Sequence, residues 1–219
     1  MIDGGRLRAP PMKLLIATRS VGKTREIREL FAGLPFRLVL PDDLALNRLP
    51  EESDLEHAET YAGNAVSKAR HFAQRSGLAT VADDSGIEVD ALGGAPGVHS
   101  ARFALQQRYG AGLFQDAANN ALLLERLAGI PEERRTARYR CVVVYLETPT
   151  AAPELVEATC EGRILTAPRG DGGFGYDPLF YSDDLQRGFG EVPTATKHRV
   201  SHRGRAFRAL IEVLVRRSL

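Results

Sequence analysis

The chain has little cysteine, almost no net charge and no long apolar run. Cys141 and Cys160 are the only cysteines in 219 residues. Both lie in apolar segments without metal-ligand spacing, which reads as a reduced, intracellular and cytoplasmic protein. A formal net charge of +1 leaves no overall basic bias for binding nucleic acid as a polymer. No apolar stretch is long enough to span a membrane, so no membrane partner is expected. The first 11 residues are polar, contain proline and glycine, and lack the apolar core of a signal peptide. Residues 1–11 are therefore expected to be a disordered extension, with Met12 opening the fold proper. There is no internal repeat. What remains has the composition of a soluble globular protein, and residues 12–219 are long enough to bury a sizeable core as one two-lobed domain.

The chemistry is densest over residues 81–103, VADDSGIEVDALGGAPGVHSARF. The apolar run 79–82 reads as a buried strand, which would put Asp83 and Asp84 at a strand end, where α/β proteins place ligands. Ser85 and Gly86 are expected to turn the chain sharply. Residues 87–92 alternate apolar and polar, as a half-buried strand does. Gly93, Gly94, Pro96 and Gly97 mark a second turn. Two neighbouring carboxylates beside a serine suit a hard divalent cation and phosphate oxygens; Asp-Asp-Ser-Gly is also ordinary turn composition.

Residues 13–18 form an expected first strand. Residues 19–23, Arg-Ser-Val-Gly-Lys, form a loop, and a helix over 24–34 places Ile27, Leu30, Phe31 and Leu34 on one face. Free N–H groups at a helix start and one ammonium suit a phosphate, although the glycine spacing is not that of a Walker loop and a plain strand–helix turn fits as well. A further strand is expected at 36–40, and an acidic, irregular stretch over 41–55. A helix over 60–74, capped by Thr60 and ended by Gly77, carries Lys68, with Glu56 just before it. Residues 115–127 read as a helix, and 137–146 and 155–165 as antiparallel strands.

Residues 169–180, RGDGGFGYDPLF, are expected to expose Phe174, Gly175, Tyr176 and Asp177 on a glycine-rich loop. A ring and a carboxylate there can hold a heterocyclic base; a structural hairpin is the alternative. Lys197, His198, Arg199, His202 and Arg203 precede or open a final helix over 201–216 with Ser201 as N-cap. Cations are unfavourable beside a helix N-terminus, so the cluster points to an anionic or carbonyl-bearing partner, or else to a solvated basic face. The mixture of helices and strands without strict alternation indicates an α/β or α+β sheet with an antiparallel portion.

Four stretches, in order, resemble the inosine triphosphatase or Ham1-like family: ATRSVGK at 17–23, ADDSGIEVDALGGAPGVHSARF at 82–103, GGFGYDPLF at 172–180 and KHRVSHRGRAF at 197–207. The resemblance covers nearly the whole chain from Met12. It implies a long, bent mixed sheet flanked by helices, with an active-site cleft between two lobes. It also implies a Mg²⁺-dependent homodimer that hydrolyses the non-canonical purine nucleotides ITP, dITP and XTP to monophosphate and pyrophosphate. Carried over residue by residue, Asp84 is the catalytic and metal-binding carboxylate, with Asp83 beside it. Glu56 is the second metal ligand. Thr18, Arg19, Ser20, Val21, Gly22 and Lys23 form the triphosphate loop, joined by Lys68 and Ser85. Phe174 stacks on the base and Asp177 accepts from it, with Gly175 and Tyr176 on the same loop, while Lys197, His202 and Arg203 donate to base carbonyls. The chain departs from the family pattern at Arg19-Ser20, where Gly-Asn is usual, at Gly63, where Glu is usual, and at His99, where Tyr is usual. Three other readings compete: a catalytically weakened nucleotide sensor of the same fold, a Maf-like pyrophosphatase with other substrates, and an RNA-binding module using the basic C-terminal segment. The Ser-His-Arg segment argues against the second, and the near-neutral charge against the third.

Overall fold

The computed structural model describes residues 11–217, so all but Pro11 of the expected extension lies outside the described residues. The chain opens with β1 (Met12–Ile16), α1 (Val21–Leu30) and β2 (Phe36–Val39). Two 3-10 turns, Asp42–Leu44 and Pro50–Glu56, fill the acidic stretch. Then come α2 (Tyr61–Ser76), β3 (Thr80–Val89), a 3-10 segment Gly97–Arg102, α3 (Phe103–Gln106) and α4 (Gln115–Arg126). The long hairpin β4 (Thr136–Leu146) and β5 (Glu154–Ile164) is followed by β6 (Phe180–Ser182), β7 (Arg187–Gly188), α5 (Thr194–Val200) and α6 (His202–Arg217).

The described strands form one mixed sheet in the order β2-β1-β3-β4-β5-β6-β7. β1 pairs parallel with β2 and β3, and every later pair is antiparallel. The expected mixed α/β sheet with an antiparallel portion is thus observed. Thr60 caps α2 by accepting from Gly63 N, and Gly77, at φ 69°, ends it.

The largest departure from expectation is β3. Asp83, Asp84, Ser85 and Gly86 do not turn; they run extended and pair with Val143, Val142, Cys141 and Arg140 of β4. Aspartate, serine and glycine are poor strand formers, but a ten-residue antiparallel ladder against an apolar partner outweighs that local preference. Only residues 87–89 of the expected second strand are extended, and Asp90–Leu92 is a 3-10 turn. Gly86 is needed where it stands, because a Cβ there would strike Gly97 O and Ser100 Oγ.

Successive residues of a strand face opposite sides. Val81 lies in the cluster of Leu14, Ile27, Phe31 and Phe207, under α1 and α6. Ala82 lies in the cluster of Ala65, Ala69 and Phe72, under α2. A third cluster, with Ile87, Leu122, Leu127, Tyr139 and Phe180, buries the far part of β3 against α4 and β6. β1 pairs with β3 only as far as Val81. Beyond it β3 continues with its backbone edge uncovered by β1, at the carboxyl end of the parallel strands.

Candidate functional site

A cavity of about 680 Å³ opens at that edge. It is lined by the β1–α1 turn, the 48–56 segment, Lys68, Asp84, the 3-10 segment before α3, the 174–177 loop and the start of α6. Of the residues expected in the site, Thr18, Arg19, Ser20, Gly22, Lys23, Glu56, Lys68, Asp84, Ser85, Phe174, Gly175, Tyr176, Asp177, Lys197, His202 and Arg203 line it. Val21 does not: it is 85% exposed and absent from the cavity lining. Asp83 does not line it either and is buried beneath.

The expected loop at 19–23 is shorter than the motif suggests. Ser20 is the N-cap of α1, its Oγ accepting from Lys23 N at 3.3 Å, so Val21, Gly22 and Lys23 form the first helical turn. Thr18 Oγ1 accepts from Ser20 N at 3.1 Å. The start of α1 therefore presents its N–H groups and dipole toward the cavity. The guanidinium of Arg19 is held by Glu52 and Asp42.

Because Asp83 and Asp84 alternate, each meets a different helix layer. Asp84 Oδ1 accepts from Lys68 Nζ at 3.1 Å and Oδ2 from Asn64 Nδ2 at 3.0 Å, both on α2. Lys68 Nζ also donates to Glu56 Oε1 at 2.8 Å, so the two carboxylates converge on one ammonium. Arg102 adds a donor to Glu56 Oε2 and another to its carbonyl. Burial alone would raise the Glu56 pKa, but Lys68, Lys23 and Arg102 together hold it below the usual carboxylate range. Burial opposes the charge on Lys68, yet Asp84 and Glu56 more than offset that and keep it firmly protonated.

Asp83 faces the other way. Its Oδ2 accepts from Lys23 Nζ at 2.9 Å and Arg203 Nε at 3.3 Å, while its buried Oδ1 has no hydrogen-bond partner among the described residues. Arg203 also donates to Ser85 Oγ at 2.7 Å and to Glu26 Oε2 at 2.6 Å. Glu26, on α1 and 1% exposed, accepts from Lys197 Nζ at 2.8 Å as well. Desolvation would push Glu26 up; Arg203 and Lys197 win and lower it to about 2. Lys197 Nζ continues to Asp177 Oδ2 at 2.5 Å. The basic cluster at the α6 start thus finds its anionic partners inside the protein, in Glu26, Asp83 and Asp177.

The expected exposed loop is largely buried at its C-terminal end: Tyr176 and Asp177 are core residues. Tyr176 donates to Ser100 O at 2.8 Å, and Asp177 Oδ2 accepts from Phe174 N at 2.9 Å. Burial, the largest influence, raises the Asp177 pKa despite Lys197. Gly175 is gripped from α4, its N–H by Asp116 Oδ2 at 2.8 Å and its carbonyl by Asn120 Nδ2 at 3.0 Å. The Phe174 ring reaches across to α1, where a Cβ on Gly22 would lie 2.8 Å from it. Lys197 Nζ and Arg203 Cζ sit 5.2 and 5.6 Å from the same ring centroid. His202 is stacked on Tyr139 with ring centroids 4.5 Å apart and planes 7° apart. Burial, then Arg203 and Lys197, holds its pKa well below 6.5, which favours the neutral imidazole with a single N–H donor.

Sequence reasoning missed Glu26, Asn64, Arg102 and Tyr139. Lys197 and Arg203 needed counter-charges, and Glu26, one turn after Lys23, was the available acid. Asn64, one turn before Lys68 on the same helix face, was similarly visible. Arg102 lay within the 82–103 stretch without being singled out, and nothing local marked Tyr139.

Fold and site together define a nucleotide-sized cleft with a carboxylate–ammonium end and an aromatic end. The chain belongs to the Ham1 family, whose model matches residues 14–213. It is similar to the dITP/XTP pyrophosphatase of Desulforamulus reducens, 43% identical over 206 residues, 94% of this chain and 96% of that protein. It also resembles the dITP/XTP pyrophosphatase of Lactobacillus acidophilus, 44% identical over 205 residues, 92% of this chain and 96% of that one. Among solved structures, the HAM1 protein of Coxiella burnetii superposes with a TM-score of 0.80 at 34% identity, covering 94% of this chain and 99% of that chain.

Proposed function

We propose that this protein is a nucleoside triphosphate pyrophosphohydrolase that removes ITP, dITP and XTP, releasing monophosphate and pyrophosphate. The dITP/XTP pyrophosphatases it is similar to support the reading. The observation that carries it is the single cavity joining the Asp84–Lys68–Glu56 cluster and the α1 start to Phe174, Lys197 and Arg203. One end suits a triphosphate and the other a purine.

Glu56 and Asp84 fit a divalent ion. Their oxygens converge on one cation already, the Lys68 ammonium, and they are hard donors. Among the described residues no three His, Cys, Asp or Glu side chains gather as a metal cage. Mg²⁺ suits such a site, because it is commonly held by one or two carboxylates plus substrate phosphates. When bound, it would neutralise phosphate charge and favour departure of pyrophosphate. Lys23, Lys68 and the α1 amides hold the triphosphate. Asp84, fixed by Asn64 and Lys68, orients the attacking water and accepts its proton as the bond between the α- and β-phosphates breaks. Lys197 and Arg203 direct their remaining N–H groups at the base carbonyl, where adenine would present an amino group and leave those donors unpaired. Phe174 stacks on the base.

In this reading residues 12–219 form one two-lobed domain, the enzyme works as a homodimer in the cytoplasm, and its cofactor is Mg²⁺. No helix among the described residues is long and apolar enough to cross a membrane. The test is pyrophosphate release from ITP, dITP, XTP and ATP with Mg²⁺. Strong preference for the first three is expected, and comparable ATP turnover, or no release at all, would overturn the reading.

A further inference from the structure

We propose that Arg19 is a positioning residue: it fastens the irregular segment 42–56, which carries Glu56 into the cleft, to the β1–α1 turn. The inference rests on the reading of Glu56 and the α1 start as the triphosphate end of the site. That segment contains only 3-10 turns and pairs with no strand, so side-chain contacts must hold it. Arg19 supplies a two-pronged contact with Glu52, Nε to Oε2 at 2.7 Å and Nη2 to Oε1 at 2.8 Å. It also donates from Nη2 to Leu46 O at 2.8 Å and from Nη1 to Asp42 Oδ1 at 2.6 Å. Its guanidinium lies 5.6 Å from the Phe72 ring centroid on α2. The Glu52 side chain is 7% exposed and its pKa falls to about 2, held there first by Arg19. Arg75 grips the same segment from α2, at Glu52 Oε1 and at Asn47 O.

Three separate points of the segment, 42, 46 and 52, are therefore tied to the β1–α1 turn by one planar side chain. Four residues past Glu52 the chain delivers Glu56 to Lys68. Freed from Arg19, the segment would hold Glu56 in place for a smaller fraction of the time, and apparent substrate affinity falls by that fraction. Lysine keeps the charge but lacks the fork.

The experiment measures hydrogen exchange without nucleotide and steady-state kinetics with ITP, in the parent, Arg19→Ala and Arg19→Lys. In Arg19→Ala, exchange is expected to accelerate within residues 42–56 while β3 and β4 stay protected. KM should rise about tenfold with kcat within about twofold, as for a lost competent population. Arg19→Lys should fall between parent and Arg19→Ala in both readouts. Parental KM in Arg19→Ala, or exchange that rises evenly along the chain, overturns the proposal. If Arg19→Ala does not fold, Arg19→Lys decides: faster exchange confined to 42–56 with a raised KM supports the clamp, and parental values overturn it. A parent that releases no pyrophosphate from ITP defeats the functional reading instead, and the exchange arm still decides whether Arg19 holds the segment.

Discussion

Asp83 and Asp84 are neighbours in sequence and differ in nearly everything else. Asp84 meets α2, lines the cavity, and shares one ammonium with Glu56. Asp83 meets α1 and α6, is sealed beneath the cavity, and belongs to a chain of charges running Lys23, Asp83, Arg203, Glu26, Lys197, Asp177. The first cluster lines the cavity and is open to a ligand. The second is internally compensated, and its Asp83 and Glu26 lie outside the cavity lining. The difference teaches that adjacent carboxylates on a strand need not form one site: the pleat sends them to opposite layers. We read the Asp84 side as the place of reaction and the Asp83 side as the scaffold that aims Arg203 and Lys197.

The sharpest way to break this contrast is to neutralise each acid in turn. Asp84→Asn should lower kcat by about a thousandfold or more, within the reach of a general base and a metal ligand combined. Its melting temperature should stay within ~4 °C of the parent, the shift of about 1 kcal/mol in a chain of this size. Asp83→Asn should do the reverse in stability. It leaves Arg203 and Lys23 partly uncompensated, and breaking a buried pair costs about 3–5 kcal/mol, read as a melting temperature lower by ~10 °C or more. Near-parental turnover in Asp84→Asn, or an unchanged melting temperature in Asp83→Asn, would erase the contrast.

The compensated cluster should also be acid-labile. Glu26 has a folded pKa of about 2 against an ordinary 4.5. Unfolding between those values takes up a proton, so its stabilisation is complete above 4.5 and is lost as pH falls toward 2. His202, held below 6.5, acts with the same sign from 6.5 downward, because only the unfolded chain takes up its proton there. Melting temperature should therefore fall in two steps on acidification, and Glu26→Gln should shrink the lower step, to which Glu52 also contributes. A parent curve flat from pH 7 to 3 would contradict the assignment.

Smaller effects sharpen the picture. Lys23→Ala removes a cation that touches Asp83 from the start of α1 and also lines the cavity. It should weaken triphosphate binding about tenfold, the scale of a charged hydrogen bond, with little loss for the monophosphate by calorimetry. Phe174→Ala should reduce kcat/KM for ITP and ATP together by about tenfold, since stacking is nearly blind to base identity. A change in the ITP/ATP ratio there would move base selection onto the ring.

Much of this was legible from local signals. The Thr60 cap and Gly77 stop of α2, the Ser201 cap of α6 and the β4–β5 hairpin depend on neighbours within a few residues, so residue type alone reveals them. The motifs also carried most cavity-lining residues. The extended path of Asp83–Gly86 was not legible, because a pairing partner more than fifty residues away overrides a turn-like composition. Nor was the fate of the cations. Arg19, Lys197 and Arg203 read as donors awaiting a ligand, while the fold supplies Glu52, Glu26, Asp83 and Asp177 from distant elements. The protonation of His202 is likewise set by burial among other cations. Sequence by itself determined which side chains and which local elements exist. Tertiary structure alone decided which charges are satisfied internally and which remain for a substrate, because Coulomb and desolvation energies depend on distances in space and not along the chain.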